Sequence, residues 1–393
     1  MNPLGISHYT ATSSLGRGLA SHRRALHAER SGLRQQAFET STLAGWIGEV
    51  DGLDTPLASD YAEWDCRNNR LADLALQQDG FIDAVAAVAA RYGTERIGVF
   101  IGTSTSGVQQ TELAYRERDP ARDRLPDWFN LRTTQSTFSA ADFVRIRLGL
   151  RGVAVAISTA CSSSAKVFAS AHRALRAGLC DAAVVGGVDS LCLTTLYGFN
   201  ALQLVSADIC RPADARRQGL SLGEAAGFAL LLPDDGTGEL LLEGYGESSD
   251  AYHMSTPDPD GRGAMAAMRD ALARGGIEPA EIDYINLHGT GTPANDLAED
   301  KAVVALLGER VACSSTKGWS GHTLGAAGIL EAAMSLLCLQ DGLKPRSLNT
   351  QTKDAALRGN VLLESQTAAL RHVLSNSFGF GGNNCSLLLG RRA

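Results

Sequence analysis

The chain has 393 residues, a formal net charge of -7 and a 44% hydrophobic content, which is enough apolar material for one large or two ordinary domains. The acidic balance, with a pI near 5.7, excludes a global basic field that would recruit nucleic acid or an anionic membrane. No apolar run reaches signal-peptide or membrane-span length, and the eight cysteines show neither a C-x-x-C pair nor a Cys/His metal spacing; the expectation is a cytoplasmic chain with reduced thiols, no structural zinc and no membrane span.

The first eighty residues carry few signals. A strand is expected over 5–12, a helix over 15–30, a loop over 53–59 and a helix over 64–78 that carries Arg67 and Arg70. From Phe81 the pattern sharpens. Phe81, Val85 and Val88 mark one helix face, Gly93-Thr94-Glu95 turns the chain, and a strand over 97–101 ends in Gly102-Thr103.

The next unit is the centre of the chain. An apolar run over 153–157 meets the turn Ser158-Thr159-Ala160-Cys161 and then a small-residue helix over 162–176, with Val167, Ala171 and Leu175 at helical spacing and Gly178 as its stop. Cys161 lies at the junction, beside the unsatisfied N–H groups of the first helical turn. Those groups favour a thiolate, so the position predicts a nucleophile that needs no dedicated base. By itself the residue reads equally well as a small buried apolar side chain.

A strand over 182–188 follows, with Gly186-Gly187 inside it, and the turn-like composition of 233–238 predicts a linker between an N-terminal half, 1–233, and a C-terminal half, 234–393. The second half repeats the order of the first. Met265, Met268 and Leu272 mark a helix face, 275–281 turns, and a strand over 282–287 runs into His288-Gly289-Thr290. Residues 311–339 then read as strand, Gly-rich turn with His322, and Ala/Leu-rich helix, and 372–388 as a last strand beside Gly381-Gly382. Alternation of this kind predicts an α/β fold with sheets covered on both faces and reactive turns converging at the seam.

The cysteine after a strand, the two turns Leu287-His288-Gly289-Thr290-Gly291-Thr292 and Ser320-Gly321-His322-Thr323-Leu324-Gly325-Ala326-Ala327-Gly328, and the closing Ser377-Phe378-Gly379-Phe380-Gly381-Gly382-Asn383-Asn384 together resemble the β-ketoacyl-[acyl-carrier-protein] synthases of the thiolase fold, in their elongating Cys-His-His form. The likeness runs from about Gly98 to the C-terminus. It implies two pseudo-duplicated halves in a layered α-β-α-β-α arrangement. It also implies an acyltransferase that joins an acyl chain on Cys161 to malonyl-carrier protein by decarboxylative Claisen condensation, in fatty acid or specialised polyene or polyketide-type biosynthesis.

By the same resemblance Cys161 is the acyl-accepting nucleophile, His288 and His322 are the paired histidines that stabilise an enolate, and Lys317 is the active-site lysine that orients a neighbouring histidine. Glu331 balances its charge. Asp296 and Glu299 match supporting acidic positions, Phe378, Gly379 and Phe380 match the gate, and the amides of Cys161 and Phe380 match the oxyanion hole. No cofactor and no metal are implied, since phosphopantetheine arrives on the acyl carrier protein. Partners implied are that carrier protein, as malonyl and acyl thioester, and a second chain in a homodimer or a heterodimer with a related subunit.

An acidic carrier protein needs local basic groups, for which Arg67, Arg70, Arg122, Arg124 and Arg132 are the expectation. Cys210-Arg211-Pro212, Gly219 and Gly223-Glu224 match a structural stretch of the family, and His172 and His253 read as structural or surface residues. Asn383, Gln218 and Ala225 depart from residues common in the family, and Trp319 is expected to narrow the pocket. Three other functions compete. A non-catalytic chain-length partner subunit would lack Cys161. A coenzyme-A-dependent thiolase would carry a second reactive cysteine, whereas Cys385 reads as a strand residue. An initiating Cys-His-Asn synthase would lack one histidine turn.

Overall fold

Ten strands laid out as two copies of one pattern carry the molecule, whose computed structural model describes residues 1–43 and 45–392. In the N-terminal half these are β1 (Leu4–Ser13), β2 (Ile97–Gly102), β3 (Ala154–Ile157), β4 (Ala182–Asp189) and β5 (Ala225–Pro233). The C-terminal half supplies β6 (Leu240–Ser249), β7 (Tyr284–Asn286), β8 (Ala312–Ser314), β9 (His372–Gly379) and β10 (Asn383–Arg391). The order β1-β5-β4-β2-β3 in the first half is matched by β6-β10-β9-β7-β8 in the second. Pairing types match too: each first strand is antiparallel to the fifth, the fifth to the fourth, and the remaining pairs are parallel.

The two sheets join where β1 also pairs β6, at Leu4 with Leu242 and Gly5 with Leu241, and the short strand Asn360–Val361 extends the far edge beyond β8. The expected linker at 233–238 is therefore the connection between two strands that both pair β1. Strands β5 and β6, which the sequence reading left unassigned, form this seam.

Helices fill three layers. The middle one consists of α1 (Ser163–Arg176) and α2 (Ala327–Asp341), which pack on each other and touch strands of both halves. Their sides face sheets in both directions, so α2 is buried over nearly its whole length, from Ala327 to Leu339, and a polar face has nowhere to go. The stretch Leu324–Asp341 is long and apolar enough to cross a membrane, but 89% of it is buried inside the fold. Outer layers are formed by Arg67–Leu76 and Thr137–Arg147 on the first sheet and by Arg262–Gly275 on the second. The core accordingly divides into a central cluster around Phe168, Ile329 and Leu337, two outer ones, around Phe81, Val99 and Phe143 and around Met268, Ile285 and Leu374, and a smaller fourth around Phe38, Leu196 and Leu222. This is the layered α-β-α-β-α arrangement expected.

Three boundaries differ from expectation for local reasons. The strand at 282–287 shortens to Tyr284–Asn286, because the amides of His288 and Gly289 turn away to the Glu299 carboxylate. Residues 372–388 form a hairpin and not one strand, since Gly381 and Gly382, at φ +75° and +73°, reverse the chain where a side chain would be strained. Near the N-terminus the helix expected over 15–30 is Gly18–His27.

Candidate active site

The turn after β3 is set by short hydroxyl bonds. Ser162 Oγ donates to the Thr159 carbonyl at 2.9 Å, Ser163 Oγ donates to the Ala160 carbonyl at 2.6 Å, and the Thr159 amide donates to Ser163 Oγ at 2.9 Å. Ala160 adopts a left-handed conformation at φ +51°, which L-residues other than Gly, Asn and Asp seldom take. This kink delivers Cys161 just ahead of α1. Glycines let the start of α1 press into the fold: a Cβ on Gly102 would stand 2.4 Å from the Ser164 nitrogen, and one on Gly328 would stand 2.5 Å from the Ala165 nitrogen.

Cys161 is 4% exposed, and its Sγ lies 3.0 Å from His322 Nε2. Burial pushes the thiol up to about 11, while the Lys317 charge and the Phe380 amide pull it back. The expected thiolate poised by the helix terminus alone is therefore corrected. Removal from water outweighs those donors, and the neighbouring imidazole is the group placed to take the proton.

The turn after β7 carries His288. Its own amide and that of Gly289 donate to the two oxygens of Glu299, each at 2.8 Å, and Asn376 adds a bond at 3.1 Å. Asp296 accepts from the amides of Ala213 and Gly291 at 2.8 and 3.2 Å and faces Arg217 at 3.3 Å. Neither carboxylate lines the cleft that holds Cys161. They border a second cavity behind the turn, and burial raises both, Glu299 to about 7.

Lys317 and His322 follow β8. Lys317 Nζ donates to Glu331 Oε1 and to the His288 carbonyl, and it lies 3.3 Å from His288 Nδ1. Its histidine partner is thus His288 and not His322. Both rings are buried, 5.4 Å apart and nearly perpendicular. Burial, with the Lys317 charge adding to it, holds both imidazoles well below their ordinary range, so each is neutral at pH 7. Glu331 is raised to about 7 by burial, against the pull of Lys317. The main chain fixes His322: its amide donates to Ser221 at 2.8 Å and its carbonyl accepts from Gly223 at 3.0 Å.

The reversal between β9 and β10 closes the site. The Phe380 amide pulls the Cys161 thiol down against its burial, the Phe380 ring stacks on Phe199 at 5.4 Å, and the Phe378 ring lies 5.9 Å from that of His288. Only a glycine fits at 379, because a Cβ there would stand 2.8 Å from the Thr159 carbonyl and 3.1 Å from the Cys161 nitrogen. The resulting cleft is lined by Cys161, His288 and His322 together with Ser255, Thr256, Thr290 and Thr292. Phe378, Gly379 and Phe380 line it as well.

Two residues of this region escaped the sequence reading. Asp189, fully buried, accepts from the amides and hydroxyls of Ser104 and Thr105, from the Thr103 hydroxyl, and from the Gly325 amide at 2.6 Å just after His322. A carboxylate ending the apolar strand β4 was its one signal. Phe199 comes from the helix Leu193–Ala201, and nothing local in the sequence marks it.

Other expectations are corrected. Trp319 is fully buried, donates from Nε1 to the Arg346 carbonyl at 3.4 Å, and does not line the cleft. Arg67 is committed to Glu224 and Glu49 at 2.6 and 3.1 Å with its side chain 11% exposed, and Arg70 to Asp65 at 2.6 Å. Neither is a free docking cation. Arg122 and Arg124 are exposed beside Asp119 and Asp127, and Arg132 lies over the Trp64 ring at 5.9 Å. His172 is structural, 3.2 Å from the Tyr245 hydroxyl, whereas exposed His253 stands at the mouth of the cleft. Asn383 Oδ1 accepts from Lys166 at 3.4 Å.

Comparison with known proteins points the same way as this geometry. The β-ketoacyl synthase N-terminal domain matches residues 70–236 and the C-terminal domain matches 241–351. A 3-oxoacyl-[acyl-carrier-protein] synthase 2 from Rhizobium meliloti is 38% identical over 321 residues, covering 75% of this chain and 74% of that protein. One from Vibrio cholerae is 32% identical over 406 residues and covers 96% of each. Among solved structures, a ketosynthase in complex with its chain length factor from Xenorhabdus doucetiae superposes with TM-score 0.91 at 37% identity, covering 100% of this chain and 98% of that one. Matching sequence domains, a shared fold over the full length and a buried cysteine beside two histidines lead to one conclusion: the chain belongs to the β-ketoacyl synthase family.

Proposed function

We propose that the chain lengthens an acyl group by decarboxylative condensation with malonyl-carrier protein, with Cys161, His288 and His322 as the catalytic residues. The observation that carries this reading is the meeting of three side chains in one cleft, a thiol 3.0 Å from one neutral imidazole with a second imidazole ring 5.4 Å beyond. In the transfer step His322 Nε2 takes the thiol proton, the thiolate attacks the acyl thioester, and the departing carrier thiolate takes its proton from solvent, so His322 keeps an Nε2–H for the next step. The amides of Cys161 and Phe380 receive the tetrahedral oxygen, with no reorganisation needed.

In condensation, carbon dioxide leaves malonate and its electron pair passes onto the thioester oxygen. That oxygen accepts N–H bonds from the two imidazoles. The enolate carbon then attacks the acyl-Cys161 carbonyl and releases the thiolate, which takes its proton back from His322 Nε2, 3.0 Å away. Lys317 sets the proton of this arrangement: an ammonium has no lone pair, so beside Nδ1 it leaves the His288 proton on Nε2. Glu331 balances the lysine, and Glu299 and Asp296 hold the turn. Phosphopantetheine enters on the carrier protein, past the hydroxyls of Thr290 and Thr292, and the eight free buried cysteines suit a reducing cytoplasm.

Pairing with a related subunit is part of the reading. The strand β3 ends the sheet with an open edge and only partly buried residues, beside exposed Val153, and such an edge is usually covered. A relative 37% identical over its whole length was solved with its chain length factor, which favours a heterodimer over a homodimer. The test is incubation of the chain, alone and with a co-purified related subunit, with acyl- and malonyl-carrier proteins. β-Ketoacyl product and acyl mass on Cys161 are expected. Acylation of any other residue, or no product with either preparation, would contradict it.

A further inference from the structure

Lys317 faces the Nδ1 of His288, but among the described residues no protein group meets the Nδ1 of His322. The 3.0 Å approach of His322 Nε2 to Cys161 is therefore set by the main chain at 322. That main chain runs beside residues 221–223: the His322 amide donates to the Ser221 carbonyl at 2.8 Å, and its carbonyl accepts from Gly223 at 3.0 Å. Gly48 and Gly223 press so closely on the Ser320 carbonyl that a Cβ on either would stand 2.2 Å from it, and the Glu224 amide donates to the Gly48 carbonyl at 3.0 Å.

These segments meet at Glu224, whose side chain is fully buried. Its carboxylate accepts from the amides of Val50 and Leu191 at 2.9 and 2.8 Å, and from Arg67 through Nε at 2.9 Å and Nη2 at 2.6 Å. The next residue of the same outer helix, Asn68, accepts from the Ser190 amide at 3.1 Å. Ser190 follows Asp189, which holds the Gly325 amide three residues after His322. The start of that helix thus ties down the chain on both sides of the histidine.

We propose that Arg67 is a positioning residue for His322, acting through the Glu224 carboxylate on residues 221–223. The inference rests on the reading of His322 as the base of the transfer step. The guanidinium lies between Glu224 and Glu49, the latter at 3.1 Å, and 5.1 Å from the centre of the Phe38 ring, so its charge is met inside the fold. A planar fork that grips two carboxylate oxygens fixes a direction as well as a charge. A displacement of about 1 Å at a reacting group costs up to roughly a hundredfold in rate, and partial loosening of this support is expected to cost about tenfold.

The experiment compares wild type with two variants of the full chain. Arg67→Met/Glu224→Gln removes both charges and leaves no lone buried carboxylate, and Arg67→Lys keeps the charge and removes the fork. Each is read below its melting transition. Histidine-selective labelling gives the ring signals of the eight histidines, with those of His322 and His288 assigned by their loss in His322→Ala and His288→Ala. In the double variant the His322 signal should move while that of His288 stays, and alkylation of Cys161 by iodoacetamide should slow about tenfold. With carrier-bound substrate, kcat should fall by the same factor at an unchanged KM. Arg67→Lys should show the same changes to a smaller degree. Ring signals and alkylation need no carrier substrate, so they decide the inference separately from the condensing reaction. An unmoved His322 signal in the double variant overturns it. So does a His288 signal displaced as far as that of His322, which would make the pair a general support of the fold, or a salt-dependent rise in KM at native kcat, which would make Arg67 a docking cation. Should the double variant not fold, the same outcomes are read on Arg67→Lys.

Discussion

The two halves of the molecule occupy the same topological slots and use them differently. After β2 the chain enters Thr103-Ser104-Thr105, whose hydroxyls and amides gather on Asp189; after β7, the equivalent strand, it enters His288-Gly289, whose amides gather on Glu299. One turn supports and the other presents a side chain to the cleft. After β3 and β8 the comparison runs the other way, since both turns deliver chemistry: Cys161 from the first half, and Lys317 and His322 from the second. A buried carboxylate tied to turn amides is the shared device, and the residue left free in each turn decides what that half contributes.

The largest expected effect breaks the supporting turn. Asp189→Ala leaves buried donors from two loops without an acceptor, at a cost on the order of 4 kcal/mol, and it frees the Gly325 amide beside His322. Denaturant melts check this, and a loss under about 1 kcal/mol would mean that the carboxylate is not the support described. Next comes its counterpart, Glu299, whose titration can be read directly. Burial raises it from 4.5 to about 7, so the stability it contributes is present below the ordinary carboxylate range and is lost as pH rises through about 7. Relative to Glu299→Gln, wild type should lose roughly 3 kcal/mol across that window. Taking the difference cancels the opposing contributions of the buried histidines. A difference that stays flat from pH 5 to pH 8 would mean that the hydrogen bonds from His288, Gly289 and Asn376 fully offset the burial of the Glu299 carboxyl.

On the chemical side, His322→Ala should slow both acylation of Cys161 and malonyl decarboxylation by roughly a hundredfold, about 2.7 kcal/mol, because the ring faces the sulfur and the cleft together. Stopped-time intact mass and carbon dioxide release report the two rates separately. Normal acylation in this variant would return the thiol to the helix terminus alone as its activator. The smallest effect is expected at the gate. Gly379→Ala forces a Cβ against Thr159 and Cys161, costing about 1–2 kcal/mol and displacing the Phe380 amide, with acylation slowed and cysteine reactivity toward a small alkylating agent retained. Full acylation rates would show that the Phe380 amide is not a donor in that step.

Much of the site was legible in the sequence because its residues sit on turns with their own local grammar. Cys161 follows an apolar strand, and His288, His322 and Phe380 lie in glycine clusters, where close backbone approach is written into composition. Pairing of sheet strands was less legible. The strands β5 and β6 form the seam through long-range partners, and no local period distinguishes a seam strand from any other buried run. Charge state was the least legible. The position of Cys161 ahead of a helix argued for a thiolate, but burial by residues from both halves dominates, and burial is a property of the assembled fold. Arg67 failed for the same reason: its partner Glu224 lies far along the chain, and only the folded structure brings the two to 2.6 Å.

In the proposed reaction the halves divide the work, with the acyl group on Cys161 and enolate stabilisation on the histidines. Carbon dioxide release from malonyl-carrier protein, measured beside intact-protein mass for Cys161→Ala and His288→Ala, tests it most directly. Cys161→Ala should carry no acyl group and form no β-ketoacyl product yet still decarboxylate, whereas His288→Ala should become acylated while decarboxylation falls roughly a hundredfold. Product from Cys161→Ala, or a native decarboxylation rate in His288→Ala, would contradict the division.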